Sequence, residues 1–250
     1  MNVLGIIPAR YASTRLEGKP LVDLGGKTMI QRVYEQAEKA LDHVIVATDD
    51  ERIEKAVMDF GGKVIMTSGD HTTGTNRCLE AYEKYVKQTD SSFDVILNIQ
   101  GDEPLLNPVQ ITSLMNCFRS KEVQMATLVI PTSKNEDLTT GVFVVFDKNY
   151  NAMYFSRSII PNHRDASKEK WSKDHTFYKH VGMYGFTPEA LEEFANLKET
   201  NLEQSEKLEQ LRWLEQGNKI KIAITKHQSI PVDTDQDLEK VRRIIDRNML

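Results

Sequence analysis

The sequence has little cysteine. Among its 250 residues only Cys78 and Cys117 occur, far apart and without CxxC or Cys/His metal spacing. That argues against a disulfide-stapled scaffold or a zinc module, and it fits a reducing compartment. No apolar run approaches the ~20 residues needed to span a bilayer. The start, MNVLGIIPAR, has no basic segment followed by a long apolar one, so no signal peptide is expected. A basic excess is also lacking: 32 Lys+Arg against 37 Asp+Glu leave a net charge of −5. That balance disfavours a general nucleic-acid-binding surface. These absences lead to the expectation of a cytoplasmic protein with no membrane and no nucleic-acid partner. After the first apolar run there is neither GxGxxG nor GxxxxGK[ST], which argues against a dinucleotide enzyme and a P-loop.

What is present is a regular alternation in the first half. VLGIIPA (3–9), HVIVATD (43–49), KVIMT (63–67) and DVILNIQ (94–100) read as strands. Helical patterns separate them at 29–40, 50–60 and 76–87, the last with Thr75 as its expected cap. Strands alternating with helices imply right-handed crossovers and a mainly parallel central sheet with helices on both faces, an α/β fold. The second half is less regular. Strands are expected at QMATLVIP, VFVVFD, AMYFS, HVGMYGF and KIAIT, with a turn at 148–151. Helices are expected at 188–197, 203–217 and 235–248, and the charged stretch 164–174 reads as a mobile loop or lid.

In such sheets ligands bind beyond the carboxyl ends of the strands. That rule selects the loops 8–20, 47–50, 68–77 and 100–107. The first holds Arg10, Arg15 and Lys19 with Gly18 to bend the backbone, a set suited to a polyphosphate. In NIQGDEP, Asp102 follows a strand and a glycine turn, a common way to hold Mg²⁺, although GD also marks ordinary turns. Asp233 in SIPVDTDQ is a second candidate, just before a helix capped by Thr234 or Asp235. Arg77 stands in a first helical turn, where acidic residues are usual, and so asks for a ligand or an acidic partner. The segment EQSEKLEQLR reads locally as a solvated amphipathic helix, and Cys78 as a core residue.

The motifs IIPARYASTRLEGKPL, VATDD, SGDHTTGTNR, NIQGDEPLL, MATL, YFSRSIIP, KHVGMYGF, LEQLR and VDTDQDLE occur together and in this order. In that combination the sequence resembles the 3-deoxy-manno-octulosonate (Kdo) cytidylyltransferases over nearly its whole length. The resemblance implies a nucleotide-diphosphosugar-transferase-like α/β fold. It implies a single domain over 1–250, with a nucleotide-binding half (1–120) and a sugar-binding and dimerisation half (121–250). It also implies a homodimer, with CTP and Kdo as substrates and Mg²⁺ as cofactor, serving lipopolysaccharide biosynthesis.

Residue by residue, Arg10, Arg15 and Lys19 would bind the triphosphate, and Ala47, Thr48, Asp49, Gly74, Thr75 and Arg77 would lie near the cytidine. Asp102 and Asp233 would hold Mg²⁺; with Arg10 and Lys19 they make up the expected catalytic group. Gln100 would lie at both subsites. Arg157, Arg164, His180, Tyr184, Glu209 and Gln210 would line the sugar pocket. The sequence departs from the family pattern at Glu17 (usually proline), Asn76 (usually acidic) and Phe143 (commonly lysine). A related acceptor, the 8-amino analogue or sialic acid, and a non-catalytic CTP-binding module are the alternatives.

Overall fold

The computed structural model describes residues 1–12 and 16–249. The chain divides into two units, one of residues 1–112 with 228–250 and the other of residues 113–227.

The first unit is built on four parallel strands in the order β3-β2-β1-β4. They are β1 (Val3–Ala9), β2 (His43–Thr48), β3 (Val64–Met66) and β4 (Val95–Asn98). Strand β1 is almost uniformly buried, which is why its sequence is a continuous apolar run rather than an alternating one. At Gly5 a side chain would strike the ends of the Leu41 and Ile99 side chains, which would have to shift.

The crossover helices are α1 (Met29–Glu38), α2 (Glu51–Asp59) and α3 (Gly74–Thr89). The first two are capped by the side chain just before them: Thr28 Oγ1 accepts from Gln31 N–H, and Asp50 Oδ1 from Arg52 N–H. The third differs from expectation. Thr73, not Thr75, is the cap of α3, and its hydroxyl oxygen accepts from the Asn76 N–H at 3.2 Å. The helix therefore begins two residues earlier than the apolar pattern suggests, because Gly74 and Thr75 add no outward-facing polar signal. Helix α4 (Pro108–Cys117) was not anticipated from its β-branched, apolar sequence, which lacks a clear polar face. The terminal helix, α9 (Asp235–Met249), returns to this unit and buries Leu238, Val241 and Ile245 with Leu24, Met29 and Val232.

The second unit has a mixed sheet. Strand β5 (Met125–Pro131) pairs antiparallel with β8 (Tyr178–Phe186) and parallel with β9 (Lys221–Ile224). The hairpin of β6 (Phe143–Phe146) and β7 (Ala152–Ser156) turns at 148–151, as its sequence suggests. Between Thr127 and Leu128 the β5–β8 register shifts, Thr127 standing opposite Tyr184 and Leu128 opposite Val181, so that β8 bulges at 182–183. Such bulges re-aim side chains next to binding sites.

Two expectations for this unit are corrected. The stretch 164–174 is not simply a charged loop: Lys168–Asp174 forms α5, anchored by Trp171. That ring is buried with Leu138, Phe143 and Phe177, and its Nε1–H donates to the Ala166 carbonyl at 2.9 Å. After α6 (Pro188–Asn196), the stretch 203–217 is not one solvated helix but two short ones, α7 (Asn201–Glu206) and α8 (Leu211–Glu215). They part at Lys207, whose φ of 54° is left-handed. The polar residues Glu203, Gln210 and Arg212 are buried there. Arg212 Nε lies 2.7 Å from Glu203 Oε2, and its second arm bonds the other carboxylate oxygen.

Candidate active site

Because all four strands of the first unit run the same way, their carboxyl ends share one edge. The parallel registers set Ala9 beside Thr48, Thr48 beside Met66, and Ile6 beside Asn98. The loops leaving these ends crowd together. A side chain at Gly101 would come within 3.0 Å of the Pro8 carbonyl, and one at Gly74 within 3.5 Å of the Pro8 ring.

Lys19, Asp102 and Asp233 meet at this edge. Lys19 opens a 3-10 turn (Lys19–Leu21) that is placed by left-handed Gly18, whose N–H donates to the Tyr11 carbonyl. The Lys19 Nζ lies 2.7 Å from Asp102 Oδ2 and 3.0 Å from Asp233 Oδ1. The two carboxylates, remote in sequence, are fastened by their own bonds. The Val232 N–H donates to the Asp102 carbonyl at 2.9 Å. Thr234 and Asp237 form a reciprocal cap at the start of α9, and Asp237 Oδ2 also accepts from the Asp233 N–H at 3.2 Å. The Asp237 carboxyl is held below its usual range, chiefly by the Thr234 hydroxyl. Glu103, buried beside Asp102, has its carboxyl pushed up to about 7 by burial; a bond with Ser229 opposes the rise and the Asp102 charge adds to it.

The remaining residues of this edge fall into two groups. Arg10 is exposed just past β1, with Nη1 3.4 Å from the His71 carbonyl, and Gln100 is half-buried just past β4. Arg15 lies outside the described residues. Arg77 is buried and directed inward: Nη1 donates to Thr67 Oγ1 and Nη2 pairs with Asp49 at 3.1 Å. That acidic partner answers the anomaly of a cation in a first helical turn. Ala47, Thr48 and Thr75 are buried. His71 and Glu80 are bonded through Nε2 and Oε2, which ties the 68–73 loop to α3. Burial raises the Glu80 carboxyl, but Lys84, the Ser68 N–H and His71 outweigh it and hold it at about 2.

In the second unit, His180, Tyr184 and Thr127 gather at the bulge. His180 Nε2 is 2.9 Å from Thr127 Oγ1, which lies 2.8 Å from the Met183 carbonyl. If the hydroxyl donates to that carbonyl, Nε2 carries the ring proton. Packing around the imidazole, with Phe155 and Tyr184 against it, pushes its pKa down to about 3, so the ring is neutral. Burial and the Glu209 charge push the Tyr184 hydroxyl well up, so it also stays neutral. Gln210 is buried beyond the helix break, and its Nε2 has no partner among the described residues. Arg157 is exposed, with Nε 2.7 Å from the Glu206 carbonyl and Nη2 3.2 Å from the Lys207 carbonyl. Arg164 is exposed, before α5.

Sequence reasoning missed two residues of these clusters. Asn98 ends β4 buried, with an Oδ1 that has no partner among the described residues. Thr127 stitches the bulge. Each is a polar residue inside an apolar strand, which is the signal that marks them. The three departures have structural explanations. Glu17 is exposed and near the Arg52 guanidinium. Asn76 Oδ1 accepts from the Thr73 hydroxyl at 2.6 Å, completing the cap of α3. Phe143 is fully buried in a cluster with Phe177 and Trp171.

The donor set suits a hard divalent cation. Two carboxylate oxygens already converge on one positive group, the Lys19 ammonium, and oxygen ligands are what Mg²⁺ prefers. No cluster of three or more His, Cys, Asp or Glu side chains with metal-binding arrangement occurs among the described residues, so further ligands would come from substrate or water. Among those residues no helix is long and apolar enough to cross a membrane.

The chain is similar to known proteins in both sequence and fold. Residues 4–220 match the Cytidylyltransferase family. The 3-deoxy-manno-octulosonate cytidylyltransferase of Bacteroides thetaiotaomicron is 53% identical over 250 residues, covering 98% of each chain. That of Parabacteroides distasonis is 52% identical over 246 residues, covering 96% of each. A solved structure of CMP:2-keto-3-deoxy-manno-octonic acid synthetase complexed with CTP superimposes with a TM-score of 0.89 at 39% identity, over 99% of this chain and 100% of that one. With a full-length match in sequence and fold, the chain belongs to the 3-deoxy-manno-octulosonate cytidylyltransferase family.

Proposed function

We propose that the chain transfers CMP from CTP to the anomeric hydroxyl of Kdo, releasing pyrophosphate and supplying CMP-Kdo for lipopolysaccharide assembly. It acts in the cytoplasm, as a homodimer, with Mg²⁺. The observation that carries this reading is the convergence of Lys19, Asp102 and Asp233 at the carboxyl edge of the parallel strands.

The sugar hydroxyl attacks the α-phosphorus in line. A sugar oxygen–phosphorus bond forms, the bond from the α-phosphorus to the bridging oxygen breaks, and the hydroxyl proton passes to water. Such transfers need positioning and charge neutralisation rather than covalent help from protein. Arg10, Arg15 and Lys19 hold the triphosphate and neutralise the departing pyrophosphate. Asp102 and Asp233 would hold Mg²⁺, which when bound would polarise phosphoryl oxygens and acidify a nearby hydroxyl. In the second unit, neutral His180 and Tyr184 hydrogen-bond sugar hydroxyls, and Arg157 or Arg164 faces the sugar carboxylate.

Pyrophosphate release is the test, with CTP and Kdo, its 8-amino analogue or sialic acid as acceptor. Fastest turnover with Kdo, and a loss of roughly 100-fold or more in Asp102→Asn with the fold intact, are expected. Faster turnover with another sugar would move the acceptor. CTP binding without release on any sugar would make the chain a non-catalytic binding module. Normal Mg²⁺-dependent release by Asp102→Asn would remove the metal assignment.

A further inference from the structure

The cation seated between the two carboxylates in this structure is the Lys19 ammonium. Its Nζ lies 2.7 Å from Asp102 Oδ2 and 3.0 Å from Asp233 Oδ1, and its side chain is 15% exposed, less than either aspartate. The proposed chemistry asks the same two carboxylates to hold a divalent ion and asks Lys19 to hold phosphate. These two arrangements exclude one another. An ammonium left within contact of a divalent ion would repel it, and it already sits on the two converging oxygens, one from each carboxylate.

We infer that Lys19 is an exchangeable internal cation: it fills the metal position in the nucleotide-free protein and gives it up by swinging to the nucleotide's phosphates. This rests on reading Asp102 and Asp233 as metal ligands.

The framework allows the exchange without rebuilding the site. The backbone of Lys19 is fixed by its N–H to the Leu16 carbonyl and by its own carbonyl accepting from Val22 N–H. Buried Pro20 follows directly. Only the four-carbon side chain has to move. The carboxylates do not depend on the ammonium for their place. Val232 N–H clasps the Asp102 carbonyl, Asp237 clasps the Asp233 N–H, and the Glu103–Ser229 bond links the two loops. One cation can therefore replace another between anions that stay where they are.

A consequence follows for binding order. Without nucleotide, a metal ion must displace the lysine into water. With a triphosphate present, the lysine gains an anionic partner as the metal enters. Metal and nucleotide then strengthen one another's binding, reciprocally. Lys19 suits this role because its flexible, compact point charge is not locked into one planar geometry as a guanidinium would be.

The experiment is a Mn²⁺ titration of the full chain without nucleotide, following free Mn²⁺ by electron paramagnetic resonance. Folding of each variant is checked by thermal melting. Lys19→Met is expected to bind Mn²⁺ about tenfold or more tightly than wild type, although it loses CTP affinity (tenfold is about 1.4 kcal/mol). Equal or weaker Mn²⁺ binding by folded Lys19→Met would overturn the inference. Should that variant fail to fold, the wild-type chain still decides: reductive methylation of Lys19, read by mass spectrometry, should accelerate several-fold when Mn²⁺ alone is bound. An unchanged rate with Mn²⁺ bound overturns the exchange. Asp102→Asn separates the two layers. If it abolishes Mn²⁺ binding while Lys19→Met does not tighten it, only the exchange fails; if it leaves Mn²⁺ binding intact, the metal-ligand reading fails and the exchange with it.

Discussion

Arg77 and Asp49 form an ion pair, Nη2 to Oδ2 at 3.1 Å, in which the arginine is almost wholly buried and the aspartate only partly so. The pair joins the first turn of α3 to the end of β2, and the other arm of Arg77 reaches Thr67 just past β3. Arg77 therefore holds three segments of the carboxyl edge in place. Removing one partner of such a pair leaves an uncompensated charge. Arg77→Met should cost about 2–3 kcal/mol, below the fully buried range because water still reaches Asp49. Urea denaturation checks it, and a double-mutant cycle with Asp49→Asn should recover part of the loss.

His180 makes a second prediction, through pH. Its folded pKa of about 3 lies below the unfolded value near 6.5, so the unfolded chain binds more protons between those limits. The associated stability is fully present above pH 6.5 and is lost progressively as the pH falls toward 3. His180→Gln, which keeps a donor for Thr127, removes that liability. Between pH 7.5 and 5, wild type should lose about 2 kcal/mol more than the variant in urea denaturation. Equal losses would mean that the imidazole is not neutralised by its packing.

Much of this arrangement is legible in the sequence, and the boundary has physical causes. Continuous apolar runs such as VLGIIPA identify the parallel strands, and parallel topology alone brings Arg10, Lys19, Asp49 and Asp102 to one edge. Local rules also reach the cap at Thr234, because capping involves neighbours in sequence, although they place the cap of α3 at Thr75 instead of Thr73. What escapes is anything decided by contacts between distant residues. The approach of Asp233 to Asp102 depends on Val232 pairing with a remote carbonyl. The break at Lys207 depends on buried Glu203 and Arg212, which a periodicity reading assigns to solvent. The anchoring of 164–174 depends on one tryptophan entering a core made elsewhere in its unit.

The Glu80 carboxyl gives a second pH window. Its folded value of about 2 is below the unfolded value near 4.5, so it contributes stability above pH 4.5 that is lost as the pH falls toward 2. Glu80→Gln should be less stable than wild type at pH 7, and the gap should narrow by about 1 kcal/mol between pH 5.5 and 3. That is less than the bare shift implies, because Glu80 and Lys84 are partly solvated. Acid titrations of both chains, followed by circular dichroism, measure the difference. A constant gap across that range would show that His71 and Lys84 do not favour the charged carboxylate.

Lys207 stands at φ 54° between α7 and α8, a left-handed conformation that costs a residue with a Cβ on the order of 1 kcal/mol. The break does structural work. The Glu206 and Lys207 carbonyls exposed by it receive the Arg157 guanidinium, and the chain turns there to bury Gln210. Only the backbone of Lys207 takes part in those bonds, so its side chain is dispensable while its backbone angle is not. Lys207→Gly should raise stability by about 0.5 kcal/mol, the relief of strain being partly offset by the freedom glycine gains in the unfolded chain. Lys207→Val should lower it by about 1–2 kcal/mol, since a β-branched residue tolerates positive φ least. Thermal melts of the two variants should therefore bracket wild type, and a helix that continued through this point would reverse their order.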